Sequence, residues 1–495
     1  MRFAFFCIPR RLLLGVALVA TAALVLALAA AANVSVLIIA TDPFTNSTSQ
    51  HATIVEPDTY AFGSTIVAAA QWGRFTDGGA SDIGVSVSAN NGASWTAQAL
   101  PGITIYNQGS YARVSDPSVG YDARHDVWMV SSLALNASVS GAAVIVSRST
   151  NGGATWGNPV TVAAASGTQD FDKNWTVCDN SPSSAFYGSC YTTWDDFGHG
   201  NLLKIAYSRD GGLTWTPSRT PHVGVIGAQP VVQANGQVVV PLDNASETAL
   251  GYTRSTNGGV KFSQAFAITS ITAVNDPGNI RSGPLPSAEI SGDGKIYVVW
   301  EDCRFRANCS TNDLVYTTST NGTTWTAVQR IPIDPVSSTV DHFIPGVAVD
   351  RSTSGATIHV AVAYYYYPDV SCTLATCQLD IGYISSTDAG STWSAATQLR
   401  GPMTMSWLPD TTQGRMVGDY ISTSFGSDGL AHPVFAEAYV PTAGGTDCAT
   451  ATPNCNQPLE TSTSGLAAAA GANLANDPVV FTGNTNPGAA AFHSR

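Results

Sequence analysis

A short motif recurs six times along the chain: a serine, an Asn or Asp close behind it, a glycine, and an aromatic that ends the segment. The first two copies read Ser88-Ala-Asn-Asn-Gly-Ala-Ser-Trp95 and Ser149-Thr-Asn-Gly-Gly-Ala-Thr-Trp156, and the motif returns at Ser208–Trp215, Ser255–Phe262, Ser319–Trp325 and Ser386–Trp393. Each copy has the chemistry of a hairpin clasp. The Asn or Asp side chain caps its own turn, the glycine takes a positive φ, and the aromatic plugs the gap beneath the hairpin. Successive aromatics lie 61, 59, 47, 63 and 68 residues apart. That spacing suits a four-stranded antiparallel unit with its loops, stacked repeatedly.

These segments resemble the Asp-box (bacterial neuraminidase) repeats of the sialidase superfamily, and the resemblance covers residues 51 to 440 or so. It implies an all-β fold, a β-propeller of four-stranded antiparallel blades, with each box joining the third and fourth strands of its blade on the face opposite the active site. The boxes are then scaffold rather than chemistry. A further pair of strands, Asp419–Phe425 and His432–Ala438, follows the sixth box without a box of its own. Seven blades are therefore expected, with six as the alternative. Completion of the last blade is expected from the region of Thr461 together with a strand near His51–Val55.

Composition agrees with strands and turns. Charged residues make up 12% of 495 residues and the net charge is −13. No basic face is available for the phosphate backbone, so nucleic acid is not an expected partner. The N-terminus carries Arg2, Arg10 and Arg11, then an apolar run from Leu12 to Ala32 that ends in four alanines. Residues 1–32 read as a secretory signal peptide, or as a signal anchor because the run is long enough to span a bilayer. Residues 33–50 read as a linker, 51–465 as the propeller and 466–495 as an Ala/Gly/Asn-rich tail. The protein is expected outside the cytoplasm, touching a membrane only through that N-terminal segment, and as a monomer.

Cysteine usage points the same way. Apart from Cys7, the cysteines fall into sequence-local pairs, Cys178/Cys190, Cys303/Cys309, Cys372/Cys377 and Cys448/Cys455. Four loop-stapling disulfides are expected. None of the spacings is that of a zinc site, no loop spacing supports calcium at Asp195, Asp196 or Asp302, and no metal or other cofactor is expected.

In a propeller, the starts of the inner strands and the loops after the second strands open onto one face. Those positions carry Glu56, Asp58, Asp116, Asp172, Lys173, Gln229, Arg281, Asp341, His342, Arg415, Asp419 and Tyr420, with Arg74, Asp195, Asp196, Glu301, Asp302 and Arg304 from the loops. Acids, arginines and a tyrosine together suit glycoside chemistry on an acidic sugar. Arginines clamp a carboxylate by paired hydrogen bonds, and a carboxylic acid protonates the leaving oxygen. The resemblance implies Tyr420, followed by Ile-Ser, as nucleophile and Asp58 or Asp116 as acid, with Arg74, Arg281, Arg304 and Arg415 as the arginine cluster. Three features depart from the family pattern: the stretch from Asp172-Lys-Asn-Trp175 to Trp194-Asp-Asp-Phe197 has no counterpart in it, and two positions differ. Gln229-Pro230 stands where a Glu-Pro is usual, and the one Arg-Ile-Pro triplet, Arg330–Pro332, follows the fifth box and falls in an outer strand.

Two functions follow as expectations. One is an exported sialidase-like propeller acting on a glycan or glycoconjugate, by exo-α-sialidase or related glycoside hydrolase activity. The other is a non-catalytic propeller that binds extracellular carbohydrate or protein. The Ser-nucleophile, zinc-protease, P-loop and dinucleotide motifs are absent from the sequence.

Overall fold

A computed structural model of the chain describes residues 34–443, 445–449 and 454–471. The leader read from the sequence, and the tail beyond residue 471, lie outside the described residues. What is described is strand and loop, interrupted by three-residue 3-10 turns. No helix among the described residues is long and apolar enough to cross a membrane.

The strands come in antiparallel sets of four. The first runs His51–Phe62, Thr65–Arg74, Ala80–Ser88 and Thr96–Ala99. The same meander repeats from Arg113 to Ala164, from Phe171 to Pro217, from Val225 to Ser270, from Ser287 to Arg330 and from Asp341 to Thr404. The last set is built from both ends of the described chain. Ser422–Phe425 pairs with Leu430–Ala436, then Leu459–Ser462, and the outermost strand is Val36–Ala40. The expected closing strand is thus replaced: His51–Phe62 leads the first set, and residues 36–40, read as linker, supply the edge. Their Val-Leu-Ile-Ile-Ala run is what a strand with a buried inner face requires.

The sets pack against one another in sequence. Apolar side chains fill each interface, as where Val67, Ile83 and Val85 of the first set meet Val114, Val119 and Trp128 of the second. The order of interfaces returns on itself, because Ile39, Val434 and Leu459 of the last set pack on Ile54, Ala68 and Trp72 of the first. The first strands likewise touch their neighbours in a closed sequence. Burial on both faces explains why these strands read as nearly continuous apolar runs rather than as alternation.

The six motifs lie between third and fourth strands, and the structure adds a clamp to the sequence reading. In the second copy the Ser149 hydroxyl donates to Asn151 Oδ1 at 2.9 Å and accepts from the Gly153 N–H at 3.0 Å. Asn151 Oδ1 accepts from Thr155 N–H at 3.0 Å, and Trp156 Nε1 donates to the Gly153 carbonyl at 3.0 Å. Gly153 has φ 86°, which a side chain would oppose. Trp156, Phe262 and Trp393 are buried. The expected cysteine pairs are joined: Cys178 to Cys190, Cys303 to Cys309, Cys372 to Cys377 and Cys448 to Cys455.

Candidate functional site

First strands carry a local distortion that aims polar side chains away from the sheet. Pairing slips between Val55 and Asp58, between Ser115 and Ser118, and between Asp172 and Trp175. At each slip a charged residue takes a left-handed backbone: Glu56 at φ 55°, Asp116 at φ 50° and Lys173 at φ 50°. Such bulges re-aim side chains, and a non-glycine residue held there stores strain that the surrounding sheet must support. The three residues come from three successive sets; Asp116 and Lys173 line one cavity, and Glu56 is tied to it by accepting from the N–H of Asp419 on its wall.

That cavity has Asp58, Asp116, Lys173, Trp175, Asp419 and Tyr420 on its wall, together with Asn174, Gln229 and Glu289. Its electrostatic centre is Asp419. Arg281 grips both carboxylate oxygens, Nε to Oδ1 at 2.6 Å and Nη2 to Oδ2 at 2.5 Å, and Lys173 Nζ pairs with Oδ2 as well. Burial pushes the Asp419 carboxyl up, but Arg281 and then Lys173 outweigh it and hold the group well below the usual carboxylate range. The Asp419 N–H donates to Glu56 Oε1 at 3.2 Å.

The neighbouring acids are shifted the other way. Burial, then the charges of Asp419 and Asp116, push Glu56 up to about 8. Burial raises Asp58 to about 7, against hydrogen bonds from the Val119 N–H at 2.7 Å and the Ser422 hydroxyl at 3.2 Å. Asp172 rises to about 7 through burial and the charge of Asp116. One cavity wall therefore holds both an ionised carboxylate and an acid that keeps its proton near neutrality. Environments that separate carboxyl groups in this way are how acid and base roles are divided in hydrolytic sites.

Tyr420 packs edge-on to Trp175, with ring centroids 5.2 Å apart, and its hydroxyl donates to the Pro117 carbonyl at 3.2 Å. Burial, and after it the charges of Glu56, Asp116, Asp58 and Asp419, raise the phenol well above its ordinary value.

The arginines divide. Arg281 is in the cavity's charge network, and Arg74 is buried behind it, with Nη1 donating to Gln71 Oε1 at 2.8 Å and Gln71 in turn bonded to Glu56. Burial, then the charge of Arg281, lowers Arg74 from its ordinary value. Arg304 lies against its own set, pairing with Asp302 Oδ1 at 2.8 Å and Thr269 Oγ1 at 3.1 Å. Arg415 donates to the Leu408 carbonyl at 2.9 Å and pairs with Asp447 at 2.9 Å. Arg330 of the Arg-Ile-Pro triplet joins Arg306 in holding Asp313 and Asp334, beside buried His342. Asp313, Asp334 and His342 have ligand atoms close enough for a metal ion, but the two guanidinium groups already balance the two carboxylates. Asp195 Oδ2 accepts from Asn201 at 3.0 Å while its buried Oδ1 has no protein partner, and Asp196 accepts from the Asp170 N–H at 3.2 Å.

Glu289 and Gln71 were not singled out by sequence reasoning, and Trp175 and Asn174 stood out only as part of the Asp172–Trp175 stretch that lacks a family counterpart, with no role assigned. Trp175 and Asn174 follow Lys173 directly, so the bulge that places Lys173 places them too. Gln229, at the Gln-Pro position, is on the cavity wall and accepts from the Ala288 N–H at 2.5 Å through Oε1.

No family model and no curated protein matches the chain. Solved structures do, at low identity. A Hadza microbial sialidase shares 14% identity over 70% of this chain and 66% of its own, with a TM-score of 0.44. Trypanosoma rangeli sialidase shares 14% over 70% of this chain and 57% of its own, at 0.43. An α-L-arabinofuranosidase from Fusarium graminearum shares 13% over 70% of this chain and 92% of its own, at 0.42. The chain thus spans less than two thirds of the length of either sialidase. Scores this low assign neither family nor chemistry.

Proposed function

We propose that the chain is an exported seven-bladed β-propeller whose central cavity hydrolyses glycosides. The observation that carries this is the pairing on one wall of Asp58, which burial keeps protonated up to about pH 7, with Asp116 and ionised Asp419, beside the Trp175–Tyr420 aromatic pair. In this reading Asp58 protonates a leaving oxygen and Asp116 is the second carboxyl, while the aromatic faces give a sugar ring an apolar platform. The closed sequence of interfaces supports the propeller, and the loop disulfides together with the Arg-then-apolar leader support export. Tyr420 as a sialidase-type nucleophile draws less support, because burial, and then the surrounding acids, resist its ionisation.

A binding function without turnover is favoured by one specific observation: the Tyr420 hydroxyl is spent on a main-chain carbonyl, and Lys173 and Arg281 are spent on Asp419. Fluorogenic exo-glycosides separate the two. Turnover that falls by ~10² or more in Asp58→Asn supports hydrolysis. Sugar binding by folded protein that turns over no glycoside leaves the binding function.

A further inference from the structure

We propose that Asp419 is a carboxylate built into the cavity's own anion clamp, and that it makes the site select uncharged sugars over acidic ones. This rests on the glycan-binding part of the function proposed above.

A bidentate guanidinium and an ammonium converging on one carboxylate are the usual means of holding an acidic ligand. Here that carboxylate belongs to the protein. Arg281 spends its fork on Asp419 at 2.6 and 2.5 Å, and Lys173 closes on the same group. Arg74, the other cation in this network, is 2% exposed and bonded to Gln71, so it presents no fork to the cavity.

Asp419 is also fixed in place. Gly418 packs on the Glu56 backbone so closely that a Cβ would come within 2.8 Å of it. Glu56 N–H donates to the Val417 carbonyl at 3.2 Å, and Asp419 N–H donates back to the Glu56 carboxyl. On the cationic side, the Arg281 N–H donates to the Arg415 carbonyl at 2.7 Å. A carboxylate sugar entering the cavity must either displace Asp419, leaving a buried charge unpaired, or sit against it as a like charge. Both are costly.

What remains for a ligand is largely acceptors. Asn174, on the wall and 2% exposed, commits its amide nitrogen to the Asp116 carbonyl at 3.0 Å and to Ser131 Oγ at 2.8 Å, while its Oδ1 has no partner. With Asp116 and Glu289 on the same wall, the cavity offers oxygen atoms to hydroxyl donors. A neutral sugar supplies such donors, and a buried acceptor left unpaired is worth satisfying.

Calorimetric titration of the full chain with methyl glycosides tests this: uncharged pentosides and hexosides, an N-acetylhexosaminide, a glucuronide and a sialoside, with sodium acetate as a bare carboxylate. The wild type is expected to bind at least one uncharged glycoside tenfold or more tighter than either acidic sugar, and to ignore acetate. Asp419→Ala is expected to gain tenfold or more for the acidic sugars and to rise in Tm with acetate. Equal or tighter binding of an acidic sugar by the wild type overturns the proposal, and this measurement stands even where Asp419→Ala does not fold. A folded Asp419→Ala that gains nothing for acidic sugars or acetate also overturns it. The predicted order of binding without turnover of any glycoside removes hydrolysis and leaves this selectivity intact.

Discussion

Arg400, on the last strand of the sixth set, holds Glu437 of the final set with Nε 2.6 Å from Oε2. This contact ties the set formed by both chain regions to its neighbour. Glu437 hydrogen-bonds in turn with Glu460, on the Leu459–Ser462 strand, and the Tyr439 hydroxyl lies 2.9 Å from Glu437 and 2.7 Å from Glu460.

Two carboxyl groups in contact hold a proton that either alone would release. Burial, and then Glu437, raise Glu460 from 4.5 to about 8. A folded-state value above the unfolded one means the folded protein binds the extra proton between those limits. The stabilising contribution is therefore complete below about pH 4.5 and is lost as pH rises through about 8. Glu460→Gln, which keeps the hydrogen bonds without the acid, is expected to flatten this part of the stability profile. Urea midpoints measured from pH 4 to 9 check it; an unchanged slope would refute the assignment.

Truncation within a turn motif is expected to cost stability and leave ligand binding intact. Trp393 is 3% exposed and packs against Tyr316 with ring centroids 5.8 Å apart. Trp393→Ala removes that packing, at a cost of ~3–5 kcal/mol. Ser386→Ala leaves the Gly390 N–H, now 3.0 Å from the hydroxyl, without its acceptor and costs ~1–3 kcal/mol. Chemical denaturation gives both numbers, and a sugar titration of the folded variants shows whether the cavity is spared.

The Arg306–Asp313–Asp334–Arg330 network predicts a comparable loss when its cationic side is cut. The Arg306 side chain is fully buried, 2.6 Å from Asp313 and 2.7 Å from Asp334. Arg306→Met leaves two carboxylates sharing one remaining arginine, and breaking a buried pair from one side costs ~3–5 kcal/mol. Double substitution with Asp313→Leu is expected to recover part of that loss. A double-mutant cycle with no coupling between the two sites would contradict the network.

The repeat was legible because its information is local: Ser, Asn, Gly and Trp within eight residues specify a turn that needs no distant partner. Strand Val36–Ala40 was not, since its partner Leu459–Ser462 lies at the far end of the chain and an isolated apolar run after a leader reads as linker. The polar ring was legible as a set of equivalent positions, and Asp58, Asp116, Lys173, Asp419 and Tyr420 do share a wall. Equivalent position alone did not say which arginines reach it. Arg304 and Arg415 each have an acid nearby in sequence or in space, Asp302 and Asp447, and a short-range pair captures the side chain first. The role of Trp175 and Asn174 stayed hidden because the slip at Lys173 depends on pairing with Cys190–Asp196, not on the residues themselves.

The acid assignment has a kinetic signature of its own. Asp58 is buried and raised to about 7, and as the proposed acid it works only while protonated. As pH rises through that value the carboxyl ionises and can no longer protonate a leaving oxygen, so kcat/KM is expected to fall tenfold for each pH unit above it. Asp58→Asn removes the titrating group and with it the alkaline limb, leaving a low, pH-independent rate on substrates with poor leaving groups. A substrate whose leaving group needs no protonation, such as a dinitrophenyl glycoside, is expected to retain most of its rate in the same variant. If Asp58→Asn keeps the alkaline limb of the wild type, the proton comes from elsewhere, and Glu56, bonded to the Asp419 N–H and raised to about 8 by burial and by Asp419 and Asp116, is the next residue to test.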